Sequence, residues 1–161
     1  MSRHVSRSLK FLHTIGSVGV LGSLGCLIAL IWATPGDAEL RSYAHTRIAM
    51  GQIADYIFMP SLCITLVAGL FAIAANRVFQ NAGWVFVKLA SGILVFEAGL
   101  VAVHGPISRE ADRAFAFIGG ARDGFVPGGE LHSEVMALWI MIGLSVANIV
   151  LGIWRPKIGR L

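Results

Sequence analysis

Charge is scarce in this chain. Of 161 residues only 14% are Asp, Glu, Lys or Arg and 56% are hydrophobic, whereas an ordinary soluble domain carries about 25% charged residues. That deficit excludes a water-soluble globule. Cysteine is almost as rare: Cys26 and Cys63 each stand inside an apolar run with no Cys-x-x-Cys pair, so a disulfide framework or a cysteine metal knuckle is excluded and both read as small buried residues. No segment recurs at a fixed period and no low-complexity linker divides the chain, which rules out a repeat array and leaves one compact unit. There is no basic patch either. Lys and Arg number 13 against 9 Asp and Glu, but they gather at the ends of apolar segments, where they act as topology signals and give no footprint for nucleic acid.

What is present is apolar length. A membrane-crossing helix needs about 20 consecutive apolar residues, and four such runs are visible, at about 9–32, 56–75, 84–104 and 131–154. The expected fold is all-α, an integral-membrane four-helix bundle in a single domain over 1–161, with a polar connection at 107–130. The first run follows Arg3, Arg7 and Lys10 as a secretory signal would. It is too long for a signal core, however, and its Ala33-Thr34-Pro35 exit suits no processing enzyme, so it stays as a span. Pro35 and Gly36 end it. Residues 37–55 form an amphipathic lead into span two, where Pro60 forces a kink or a one-turn break. Span three is expected to stop at Gly105-Pro106, and RAFAFIGG beyond it to form a short surface helix. Seven Lys and Arg fall on the side of the termini and five on the other, an imbalance that places both termini in the cytoplasm.

Gly16, Gly19, Gly22 and Gly25 recur every third residue in span one, a seam of small residues that lets another helix approach closely. Against this apolar background the ionisable residues stand out, because a charge at membrane depth costs a few kcal/mol and marks function. His13 and Lys88 both lie about one turn inside the same membrane side. Glu97, nine residues from Lys88, points the opposite way at about 100° per residue, while His104, seven from Glu97, shares its face. His104, His132 and Glu134, with His45 and Asp55, gather toward the other side. Their chemistry suits zinc or copper, but no His-x-x-x-His spacing supports a metal, and solvated side chains explain them as well. Asn148 reads as an interhelical hydrogen bond.

Three short stretches carry a family likeness. Lys10-Phe11-Leu12-His13 opens span one, Phe58-Met59-Pro60 with Thr65 and Gly69 lies in span two, and Trp84-Val85-Phe86-Val87-Lys88-Leu89 opens span three. Together they resemble the four-span bacterial membrane superfamily of HemJ-type protoporphyrinogen oxidases, CopD-type copper-resistance proteins and a sister family without assigned activity. The resemblance covers most of the chain and implies a b-type haem with His13 as iron ligand. It also implies that Lys88 is an essential residue balancing a propionate or a substrate carboxylate, in a bacterial inner membrane. The chain departs from the HemJ pattern at Gly22-Ser23-Leu24-Gly25-Cys26-Leu27, where Leu-Pro-Arg is the rule, and at His132-Ser133-Glu134, where Asn-Glu and a proline are. The sister family is therefore the nearer likeness, and porphyrinogen oxidation is not implied.

The expected function is an inner-membrane protein holding haem b through His13 for electron transfer or a redox step, with Lys88 as the catalytic candidate. Two other classes stay open. One is a non-catalytic subunit, or a homo-oligomer, whose Glu97 meets a partner. The other is a small ion or metal permease using Glu97 and the His104 group.

Overall fold

The computed structural model describes residues 3–34, 39–75, 83–120 and 131–154. All of the helices expected from the apolar runs are there, but two of them are much longer than the runs. Helix α1 spans Arg3–Ala33. Helix α2 (Leu40–Ile53) passes through a π-helical turn at Ala54–Phe58 into α3 (Met59–Ala74). Helix α4 (Gly83–Ala98) passes through a second π turn at Gly99–His104 into α5 (Gly105–Ile118). Helix α6 is Leu131–Trp154. The fold is an all-α four-helix bundle, and all four continuous helices are long and apolar enough to cross a membrane. The stop expected at Pro35-Gly36 lies outside the described residues.

The π turns explain why two prolines fail to end helices. A proline removes one backbone donor and its ring clashes with the carbonyl four residues earlier. Just before Pro60, the Met59 N–H donates to the Ala54 carbonyl, and just before Pro106 the Gly105 N–H donates to the Leu100 carbonyl, each five residues back. The wider turn absorbs the proline, and the helix continues. Span three therefore does not stop at Gly105-Pro106, and the polar connection expected at 107–130 is helical as far as Ile118. The segment RAFAFIGG is the last part of that helix, and Gly120, at φ +98°, takes the left-handed turn that glycine tolerates best.

Continuous helices of 35 and 34 residues are about 50 Å long at 1.5 Å per residue, against about 30 Å of hydrocarbon. The surplus is the pair α2 and α5, which pack on each other so closely that a Cβ on Gly51 would overlap the Ala111 methyl. The four spans form a ring in which α1 and α4 each pack on both α3 and α6. The half of this ring nearer α2 and α5 is solid, filled by Leu24, Leu27, Phe58, Val103, Leu138 and Met141. Large apolar side chains such as Phe11, Val18, Phe71, Val101 and Ile153 face outward. Such a surface is costly in water and natural against lipid, where the inside-out contrast of a soluble core is absent.

Candidate functional site

The other half of the ring is hollow. A cavity of about 490 Å³ opens among α1, α3, α4 and α6, lined mostly by aliphatic side chains and carrying His13, Lys88, Ser145 and Asn148. Its volume lies in the 300–1,000 Å³ range of small-molecule and cofactor sites. One wall of the hollow is the α1–α3 seam, where Gly16 and Gly19 of α1 meet Ser61 and Thr65 of α3. A Cβ on Gly16 would stand 2.9 Å from the Ser61 carbonyl oxygen and from the Thr65 nitrogen, and one on Gly19 would stand 2.8 Å from the Ser61 Cβ. Gly22 and Gly25 meet nothing within 4 Å. A three-residue repeat falls behind the helix by about 60° per step, so the four glycines spiral off the contact and only the first two form the seam.

That close approach sets the imidazole of His13. Its Nδ1 lies 2.8 Å from the Thr65 carbonyl oxygen, and since a carbonyl only accepts, Nδ1 carries the proton and donates. The neutral ring then keeps its lone pair on Nε2. The ring edge rests on Gly69, where an added Cβ would come 3.4 Å from both Nδ1 and Cε1. The Thr65 hydroxyl in turn donates to the Ser61 carbonyl at 2.8 Å, so both walls of the seam are tied down. Among the described residues, Nε2 has no hydrogen-bond partner.

Lys88 lines the same cavity from α4. Its Nζ lies over Gly152 of α6, where an added Cβ would stand 2.5 Å away. His13 and Lys88, expected on one membrane side, line one cavity. Asn148, expected to bridge two helices, makes no hydrogen bond to any described residue and is among the residues lining the cavity.

The second expected cluster comes apart. Glu134 is buried and bonded to Arg47 through two contacts, Nη1 to Oε2 at 2.6 Å and Nη2 to Oε1 at 3.2 Å. His45 and His132 are exposed. His104 and Asp55 face each other from the two π turns, with Nε2 and Oδ1 at 2.8 Å and the Ser108 hydroxyl donating to the same carboxylate oxygen at 3.1 Å. Among the described residues no three His, Cys, Asp or Glu side chains come together, so the zinc or copper reading of that cluster falls. Glu97 does not join His104: the π turn between them widens the helix and breaks the seven-residue register on which a shared face depends. Glu97 points outward, beside exposed Ile93, Leu94, Leu100 and Val101. Both cysteines are exposed and free as well, and the expectation of burial fails because a lipid-facing surface is as apolar as an interior.

Two features were invisible in the sequence. Arg47 is one of the five Lys and Arg counted on the side opposite the termini, and only the fold sets it beside Glu134, 87 residues away. Ser145 gave no signal at all, being one hydroxyl in a long apolar helix. No protein-family model, curated protein or solved structure matches this chain.

Proposed function

We propose that this chain is a multi-pass protein of a bacterial inner membrane, with both termini in the cytoplasm, that holds haem b in its cavity and serves electron transfer or another redox step. The observation that carries the reading is the His13 ring. A metal-binding histidine usually donates its second ring N–H to a carbonyl or carboxylate, which fixes the tautomer and raises the basicity of the coordinating nitrogen. His13 does this toward Thr65 at 2.8 Å inside a largely apolar hollow of about 490 Å³.

The residues fit such a group by their chemistry. His13 would hold the iron through Nε2, and Lys88, which lines the same cavity, would balance a propionate. Haem would supply one-electron chemistry there. The aliphatic lining of the cavity would exclude water from it and so influence its potential. Lys88 is the catalytic candidate because it can equally hold the carboxylate of a substrate entering from the same side. The test is the visible spectrum of the protein purified in mild detergent and supplemented with haem. A Soret band is expected in the wild type and not in His13→Ala; a band unchanged by that substitution would refute the assignment.

A second reading, a subunit of a larger membrane complex, is favoured by Glu97 alone. A carboxylate on a lipid-facing surface costs a few kcal/mol, and among the described residues it has no hydrogen bond or ion pair. A neighbouring span with a donor would remove that cost. Native mass spectrometry from membranes tests it, and a wild-type chain found only as monomer would count against it.

A further inference from the structure

The cavity has a rim as well as a lining. Thr14 and Val18 of α1 and Ile149 and Ile153 of α6 line it and are also exposed on the outside of the bundle, Val18 at 65%, Ile149 at 40% and Ile153 at 67%. Their places on the two helices agree. Thr14 and Val18 are each two residues from Gly16, so at about 100° per residue both point about 160° away from the seam that meets α3. The cavity therefore reaches them on the far side of α1. The α1 side of α6 is marked by Trp139, whose ring lies 6.5 Å from that of Trp32. Ile153, 14 residues further on, returns to within about 40° of that direction, and Ile149 lies about one turn from Ile153 on the same stripe. On the α3–α4 side, by contrast, Leu66, Leu89 and Phe96 are half-buried and of the neighbouring lining residues Leu70 is exposed.

We propose that the cavity opens sideways into the bilayer between α1 and α6 and takes from it a membrane-dissolved carboxylic acid, an apolar body with an anionic end. The rim suits such a body, because Val18, Ile149 and Ile153 offer it apolar surface on the way in. The lining supplies the charge: among the described residues that line the cavity there are two lysines, Lys10 and Lys88, and no carboxylate. The Lys88 amine lies over Gly152, next in the chain to Ile153 of the rim, so the anionic end is held beside the opening. An anion there also offsets part of the cost of a lysine at that depth. A volume of about 490 Å³ is that of a small-molecule site and suits one chain or ring system better than a two-chain phospholipid. The inference rests on the site assigned to haem and widens its ligand class, since haem is itself an apolar ring that bears carboxylates.

The full-length protein, without haem, is reconstituted in phosphatidylcholine vesicles that contain a long-chain fatty acid with a diazirine near the end of its chain. After illumination the labelled residues are located by mass spectrometry. Saturable labelling of Ser17 and Leu66, which line the cavity, is expected, with unsaturable labelling of Val101 on the lipid face. Unlabelled acid should compete about tenfold better than its methyl ester, since a hydrogen bond to a charged acceptor is lost, and Lys88→Gln should remove that preference. Val18→Trp combined with Ile149→Trp should lower the cavity labelling about tenfold and leave Val101 unchanged. Val18→Trp alone should lower it in part, so the route is tested even where the pair does not fold. Cavity labelling that is absent or unsaturable in the wild type overturns the proposal. Equal competition by acid and ester, or labelling that neither tryptophan variant changes, overturns it as well. Haem is decided separately: a Soret band without fatty-acid labelling keeps the haem reading and removes this inference, and saturable labelling without a Soret band does the reverse.

Discussion

Removing one member of the buried Arg47–Glu134 pair should cost far more than removing both. The two side chains are 3% and 2% exposed, and Glu134 supplies two of the guanidinium's bonds, at 2.6 and 3.2 Å. Without that carboxylate, the cation keeps the Tyr43 hydroxyl, which accepts from Nε at 3.0 Å, and the face of the Tyr43 ring, 5.4 Å from the guanidinium carbon. Neither carries a compensating charge. Breaking a buried pair in this way costs about 3–5 kcal/mol, whereas replacing both members by apolar residues of similar volume is often neutral. At about 2–4 °C per kcal/mol for a chain of this size, Glu134→Ala is expected to lower the Tm in detergent by about 6–20 °C. The double variant Arg47→Met with Glu134→Leu should return to within about 1 kcal/mol of the wild type, a coupling larger than contacting neighbours usually show. Thermal scans of the four proteins test this, with near-ultraviolet circular dichroism as the probe of packing. Single variants that shift Tm by less than about 2 °C, or a double variant equal to the sum of the singles, would refute the reasoning.

Gly16→Leu should separate α1 from α3, because its side chain has to enter a space where a Cβ alone already meets backbone at 2.9 Å. A loss of about 1–3 kcal/mol is expected from the overpacking, with loss of any haem band, whereas Gly22→Leu, in open space, should leave both unchanged. Gly152→Leu fills the place where the Lys88 amine rests and should weaken haem binding with little change in Tm, read from titrations that follow the Soret band. Asp55→Ala removes a partly exposed contact to His104 and Ser108 and should cost less than about 1 kcal/mol; a larger drop in Tm would give the two π turns a structural tie that their exposure argues against.

The apolar runs were enough to establish an all-α bundle with four spans, because the hydrocarbon thickness fixes a minimum length and the deficit of charge leaves no other solvent for such a surface. The same logic picked out His13 and Lys88, since ionisable groups that deep are rare enough to be conspicuous. It could not place the ends of the middle helices. Pro60 and Pro106 read as breaks, and whether a helix survives a proline depends on the backbone around it, here a π turn that leaves no mark in hydropathy. Nor could it sort the polar residues on the far side. His45, Asp55, His104, His132 and Glu134 are close in the order of the spans, but partners there are chosen by rotation about each helix axis, and one π turn is enough to part Glu97 from His104.

The sequence by itself therefore determined how many helices there are, which solvent they face and which two side chains to suspect, all of them properties of local composition and period. Only the tertiary structure decided that Gly16 and Gly19, and not Gly22 or Gly25, bring α1 against α3, so that the Thr65 carbonyl accepts a hydrogen bond from His13 Nδ1 and leaves Nε2 without a partner among the described residues. It also decided that Arg47 belongs to Glu134. Each of these is a pairing between distant segments, and no local rule of spacing can fix such a pairing before the helices have packed.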